Sequence, residues 1–163
     1  MSPACLFDIS KRVVVVTGAT GVLAGSAARY FTAQGAHVVF LGRDQRKIDQ
    51  ALAETGGLPG TTMGFSCDVL DKEKLEEVRG KIMEKFGRID ALINAAGGNQ
   101  AGATITPEKT FLDLDMGAYR QVLGLNLEGT VIPSLVFSEV FAAQRRGNII
   151  NFSSMASAQA ITQ

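Results

Sequence analysis

Four valines and a threonine, Val13–Thr17, run straight into Gly18-Ala19-Thr20-Gly21, and a helical pattern begins at Val22. An unbroken β-branched run leaves no polar face. It therefore suits a strand buried on both sides of a parallel sheet better than a half-exposed antiparallel one. Parallel strands cannot be joined by hairpins and need crossover connections, usually helices. Strand, tight turn and helix in immediate succession thus commit the chain to an α/β fold. The turn also has chemistry. Glycine lets a backbone bend sharply and approach a ligand without a Cβ in the way, while unpaired amides at a helix start, with the helix dipole, favour an anion. A pyrophosphate could be held by Gly18, Thr20, Gly21, Val22 and Leu23. A glycine turn that serves packing alone is the alternative these residues by themselves leave open.

The rest of the chain repeats the alternation. Residues 22–34 place Leu23, Ala27, Tyr30 and Phe31 close to one helix face, with Gly35 where a helix commonly ends. Residues 37–41 give a second apolar strand. Residues 45–55 form a second helix, with Ile48 and Leu52 four apart, closed by Gly56-Gly57 and Pro59. Thr62–Ser66 is a short third strand. Asp71 stands at an N-cap position, and Leu75, Val78, Ile82 and Phe86 follow at spacings of three and four in a third helix that stops at Gly87. Residues 90–94 make a fourth strand and residues 97–110 a long loop of the kind that is more often functional than idle. Residues 115–145 form the longest helix, in which Pro133 should clash with the Gly129 carbonyl and bend the helix there. Residues 148–152 make a fifth strand.

Such alternation predicts one α/β domain over residues 1–163: a doubly wound parallel sheet in the order 3-2-1-4-5, with helices on both faces. Ligands of such sheets bind beyond the carboxyl ends of the strands, where the strand order reverses. The turns at Gly18 and at residues 94–97 both fall there. Sixteen basic and 16 acidic side chains give a net charge of zero, with no electrostatic reason to expect nucleic acid or an anionic membrane as partner. A small molecule is expected instead. The apolar stretches at residues 13–16 and 135–143 are too short or interrupted to span a bilayer, and the Met1 end lacks a basic segment followed by an apolar run. A cytoplasmic location is the expectation that follows. Cys5 and Cys67 stand in no metal-ligand or Cys-x-x-Cys spacing, so both are expected as free thiols with no structural metal.

Five signals in series carry a more specific meaning. Thr17-Gly18-x-x-Gly21-x-x-Ala24, Asp68-Val69, Asn94-Ala95-Ala96-Gly97, Asn126 and Asn151-Phe152-Ser153-Ser154 together resemble the ordered motifs of the short-chain dehydrogenase/reductase family, which has a Rossmann fold. The resemblance implies a pyrophosphate site at the Thr-Gly turn, an adenine contact at Asp68 with Val69 beside the ring, and a ribose contact along Asn94, Ala95, Ala96 and Gly97. It implies a proton relay that includes Asn126, and a substrate-binding hydroxyl on Ser154 with Ser153 as the lesser candidate. Ala24 departs from the usual third glycine. The family's Tyr-x-x-x-Lys pair should follow Ser154, yet the last residue is Gln163, and neither Tyr30 nor Tyr119 has lysine four residues on. Carbonyl reduction needs a general acid. The 163 residues are therefore expected to be the N-terminal part of a longer domain, inactive alone, with apolar surface exposed beside the fifth strand. The full-length form is expected to be a homo-oligomer.

After the second strand comes Gly42-Arg43-Asp44. An acid at the strand end would bind both ribose hydroxyls of NAD; glycine stands there, and Arg43 could hold the extra phosphate of NADP. NADP is favoured, and Asp44, one residue further on, leaves NAD open. The segment from Ala95 to Thr104 and the Gly21-Val22-Leu23 turn resemble a subgroup that oxidises sugar acids, notably mannonate to fructuronate. A secondary alcohol or ketone is the implied substrate class. The rival reading is a non-catalytic dinucleotide-binding module.

Overall fold

A computed structural model describes residues 7–155. Strands β1 (Val13–Thr17), β2 (His37–Gly42), β3 (Thr62–Ser66), β4 (Ala91–Asn94) and β5 (Asn148–Asn151) form one wholly parallel sheet in the order β3-β2-β1-β4-β5. The doubly wound order read from the sequence is thus the observed one. Central β1 is buried along its whole length, as its unbroken valine run requires.

Alternation along the strands divides the core into two layers. Val13, Val15, Val39, Leu41 and Leu92 face Leu75, Val78 and Ile82 of α3 (Lys72–Phe86) and Val136, Phe137 and Val140 of α5 (Gly129–Gln144). Val14, Val16, Val38, Phe40 and Ile93 face Ala24 and Ala28 of α1 (Val22–Ala33) and Ile48 and Ala51 of α2 (Gln45–Ala53). Each fully buried valine, leucine, isoleucine or phenylalanine among them contributes about 1.5–3 kcal/mol by leaving water.

The inward face of α1 differs from the sequence expectation. Ala24, Gly25, Ala28 and Thr32 are buried, whereas Leu23 and Tyr30 are 74% and 62% exposed. The cause is close approach: a Cβ on Gly25 would stand 2.9 Å from the Ala19 carbonyl oxygen. Beside that contact the helix turns small side chains inward, while Phe31 near its end packs, partly buried, against the same core layer. Ala24, where the family motif has its third glycine, is accommodated because the tightest contact falls on Gly25.

The long helix predicted over residues 115–145 is three pieces: α4 (Met116–Leu123), a π turn (Gly124–Glu128) and α5. The π turn comes directly before Gly129, where regular α-helix resumes with Pro133 inside it. Around Pro133 the Thr130 hydroxyl donates to the Asn126 carbonyl at 3.0 Å and the Ser134 hydroxyl to the Thr130 carbonyl at 2.6 Å. These bonds engage carbonyls on both sides of the junction. Such π turns recur at functional sites.

At the amino end of the sheet, buried Asp90 accepts from the Val13 amide at 2.9 Å, from Arg12 at 3.2 Å and from Arg88. Gln144 exchanges two hydrogen bonds with the Ile89 backbone, fixing the end of α5 to the start of β4. All four residues of β5 are exposed, as are Ile149 and Ile150 within it and Phe152 beyond it. Cys67 is a buried free thiol; Cys5 lies outside the described residues. Among the described residues no helix is long and apolar enough to cross a membrane.

Candidate active site

The carboxyl ends of β1 and β4 are tied together by one side chain. Buried Thr17 accepts hydrogen bonds from the Ala95 amide at 3.0 Å and the Ala96 amide at 3.1 Å through its hydroxyl oxygen. Directly after it, Gly18 adopts φ +66°. A Cβ there would stand 2.9 Å from the Ala95 carbonyl oxygen and from the Ala96 backbone. Only glycine meets both conditions. The first turn of α1 then opens at Gly21 with no side-chain cap and no acidic residue. The contrast with the other helices that begin from loops is direct: Asp44, Asp71 and Asp115 cap α2, α3 and α4. The amides of Val22 and Leu23 therefore lack the carboxylate acceptor that the other helix starts have.

In front of this turn lies a cleft of about 220 Å³. Gly18, Thr20 and Gly21 form one wall, Ala95, Ala96 and Gly97 another, with Arg43 and Val69 at its margins. Eight of the residues expected to bind a cofactor are thereby brought together. Four are not among the lining residues. Val22, 85% exposed, and Leu23 turn their side chains outward, leaving only their amides near the turn. Asp68 is exposed and accepts from the Leu70 amide at 3.0 Å. Asn94 is buried and donates to the Ser134 hydroxyl and to Asn151 Oδ1, both at 2.9 Å, bracing β4 against α5 and β5.

Gly42, Cys67 and Leu125 complete the lining. Sequence reasoning assigned no site role to Cys67 or Leu125; each was detectable only as a neighbour of a motif residue, Asp68 or Asn126. Burial pushes the Cys67 thiol up to about 11, reinforced by the carboxylates of Asp71 and Asp68. It is therefore a neutral wall of the cleft near pH 7.

A second hollow, of about 360 Å³, shares Ala95, Ala96 and Gly97 with the first. Asn126, Thr130, Phe152, Ser153 and Ser154 line its far side. It thus brings together the two residues expected to serve chemistry, Asn126 from the π turn and Ser154 from the segment after β5. Thr130, one turn beyond Asn126, was not anticipated. The Asn126 amide faces the loop after β4: its Nδ2 donates to the Gly98 carbonyl and to the Val122 carbonyl, each at 2.8 Å, and its Oδ1 accepts from the Gly98 amide at 3.2 Å. A Cβ on Gly97 would fall 2.7 Å from that Oδ1. Asn126 therefore fixes the turn that separates the two hollows.

Comparison with known proteins identifies the family and the fold. The family described as short chain dehydrogenase matches residues 12–163. An uncharacterized oxidoreductase of Haemophilus influenzae is 32% identical over 165 residues, covering 95% of this chain and 58% of its own length. A crystal structure of a candidate D-mannonate oxidoreductase from the same genus, with bound NAD, superposes with a TM-score of 0.87 at 30% identity, covering 96% of this chain and 59% of that one. A metagenomic short-chain oxidoreductase in complex with NADP gives 0.81 at 25% identity, covering 95% and 67%. The chain thus spans about 58% of the length of its curated relative.

Proposed function

Because the chain belongs to the short-chain dehydrogenase family, we propose that it is the cofactor-binding part of an NAD(P)-dependent oxidoreductase that interconverts a secondary alcohol and a ketone. The observation that carries this reading is the uncapped start of α1, opening onto a cleft that shares its Ala95-Ala96-Gly97 wall with the hollow that holds Asn126 and Ser154. A glycine cradle that a Cβ would fill, beside helix amides with no carboxylate acceptor, fits a pyrophosphate.

In this reading Gly18, Thr20, Gly21 and the Val22 and Leu23 amides hold the pyrophosphate. Val69 flanks the adenine, with the exposed Asp68 carboxylate toward its amino group. Ala95, Ala96 and Gly97 follow a ribose of the cofactor while Asn94 braces them from within. When bound, the nicotinamide supplies the hydride acceptor or donor. Ser154 hydrogen-bonds the substrate oxygen, and Asn126 keeps the Gly98 turn in place and serves a water relay. No tyrosine or lysine lines the second hollow among the described residues, and no Tyr-x-x-x-Lys occurs in residues 1–163. These residues therefore bind and orient without a general acid, and the 163-residue chain binds cofactor without turnover.

NADP is the proposed cofactor. The Asp44 carboxylate, the alternative ribose acid, is engaged as the cap of α2, accepting from the Arg46 amide at 2.9 Å. Arg43 forms no ion pair among the described residues and lies at the cleft margin. A sugar acid such as mannonate or fructuronate is the proposed substrate, supported by the glycine-rich segment from Ala95 to Thr104 and by the likeness to the Haemophilus structure. Self-association of the full-length protein has support in one stripe. From Met116 through Tyr119, Leu123, Leu127 and Val131 to Leu135, exposed apolar side chains recur every three or four residues.

The test is titration of NADP and NAD into the 163-residue chain, followed by an activity assay with a family Tyr-x-x-x-Lys segment joined after Gln163. Binding alone, then turnover after joining, is the expected result. Failure of the chain to bind either dinucleotide would refute the reading. Binding with no turnover of any alcohol or ketone after joining would favour a non-catalytic binding module.

A further inference from the structure

A smaller groove of about 250 Å³ runs between α1 and α2, next to the cofactor cleft. Thr20 lines both. On the cleft side of Thr20 stands Gly42, whose missing Cβ would lie 3.3 Å from the Thr20 hydroxyl. Gly42, at the end of β2, thus sets no side chain against Thr20 on the cleft side, and the Thr20 side chain is what cleft and groove share. Two cations line the groove, and they are not equivalent. Arg29 donates to Glu54 at 3.0 Å and to the Ser26 hydroxyl at 3.3 Å, so a carboxylate already offsets its charge. Lys47, in the first turn of α2, has no ion pair among the described residues. The two acids nearest in sequence are engaged elsewhere: Asp49 accepts from Gln45 Nε2 at 2.7 Å, and Asp44 caps the helix and pairs with Arg46 at 3.6 Å.

Around Thr20, then, Arg43 and Lys47 are the cations without a carboxylate partner. They stand four residues apart at the same end of α2. The Arg43 backbone is held by the Ser66 hydroxyl, which donates to its carbonyl at 3.0 Å. An anion that enters across Thr20 meets one of these charges from the cleft and the other from the groove.

We propose that Lys47 is a second specificity-determining residue: with Arg43 it holds a phosphate carried on the 2′-oxygen of the adenine ribose, seated across Thr20 at the mouth of the α1–α2 groove. The inference rests on the reading of the cleft as a dinucleotide site and extends it to a residue outside that cleft's lining. Lys47 is exposed, so its substitution leaves the core intact. A lysine acts on phosphate as a flexible point charge, so arginine should substitute for it at least in part.

The experiment measures binding of adenosine 2′,5′-bisphosphate and of adenosine 5′-monophosphate to the 163-residue chain by calorimetry. Neither probe contains the nicotinamide half. The expected result is a clear preference of the unaltered chain for the bisphosphate. Lys47→Gln should weaken bisphosphate binding about tenfold, as for a lost charge-assisted contact. Monophosphate binding should stay within about twofold, and Lys47→Arg should keep most of the preference. If Arg43→Gln removes the preference while Lys47→Gln does not, the role of Lys47 is overturned and the dinucleotide reading stands. If the unaltered chain binds both probes equally, the 2′-phosphate seat is overturned. If it binds neither, the dinucleotide reading falls and the inference falls with it.

Discussion

Substituting Gly18 by alanine tests the junction on which the cleft depends. Two penalties are expected, and a second glycine separates them. Gly18 and Gly87 have nearly the same backbone, φ +66° and +69°. A Cβ on Gly87 would meet nothing within 4 Å, whereas on Gly18 it would stand 2.9 Å from the carbonyl oxygen of Ala95 and the nitrogen and Cα of Ala96. Gly87→Ala should therefore cost only the left-handed backbone penalty, about 1–2 kcal/mol. Gly18→Ala should cost that amount plus a further 1–3 kcal/mol or so, because the obstructing atoms are backbone and Thr17 holds them in place. The assay is urea denaturation of the two variants and the unaltered chain, read as the difference in midpoint at constant m. Gly18→Ala should also abolish NADP binding, which Gly87→Ala should leave unchanged. Equal destabilisation by the two substitutions would refute the close approach of the two turns. Intact cofactor binding by Gly18→Ala would refute the pyrophosphate cradle.

Thr17→Val keeps the shape but leaves the Ala95 and Ala96 amides without their acceptor, so a loss of about 1–3 kcal/mol is expected in the same denaturation assay. For Asp90, burial works to raise the carboxyl, but the Val13 amide and the Arg88 and Arg12 guanidiniums hold it below the ordinary aspartate range. The stability it contributes is thus fully present above about pH 4 and lost as pH falls through the folded-state value. Asp90→Asn should flatten that part of the stability–pH profile and cost about 1–3 kcal/mol at pH 7, and an unchanged acid limb would count against the pairing. With the Cys67 thiol raised to about 11, alkylation at pH 8 of a chain carrying Cys5→Ser should run roughly a hundredfold slower in the folded than in the unfolded state. Equal rates would show the thiol to be accessible and ionised.

The sheet was legible because its signal is redundant. Val13–Thr17 and the apolar run beginning at His37 can satisfy a two-sided burial in only one way, and the glycines and aspartates between elements mark the turns and caps. What periodicity misjudged is distance. It grouped Leu23 and Tyr30 with Ala27 and Phe31 on one face of α1, yet of these only Phe31 packs against the core layer, and beside the approach of Gly25 to the Ala19 carbonyl the buried side chains are those of Ala24, Ala28 and Thr32. Helix spacing states which residues share a face. It does not state how near that face comes to its neighbour, and near contact reverses the preference for bulk.

The site was legible where backbone chemistry names the residue and obscure where a cavity wall needs only volume. Gly18, Gly21 and Gly97 belong to turns with a steric requirement, so their residue type carries the message. Cys67 and Leu125 contribute surface to the same cleft, and many side chains of that size would do so. Asn126 lies between these cases. An amide inside a helix ordinarily faces water or competes with the backbone, and here it is the competition that is used. In the π turn Asn126 bonds both backbone groups of Gly98 while keeping one bond to Val122. A five-residue departure from α-helix has no period of its own to read. The asparagine is its trace in the sequence, and only the loop it grips shows why the helix gives way at that point.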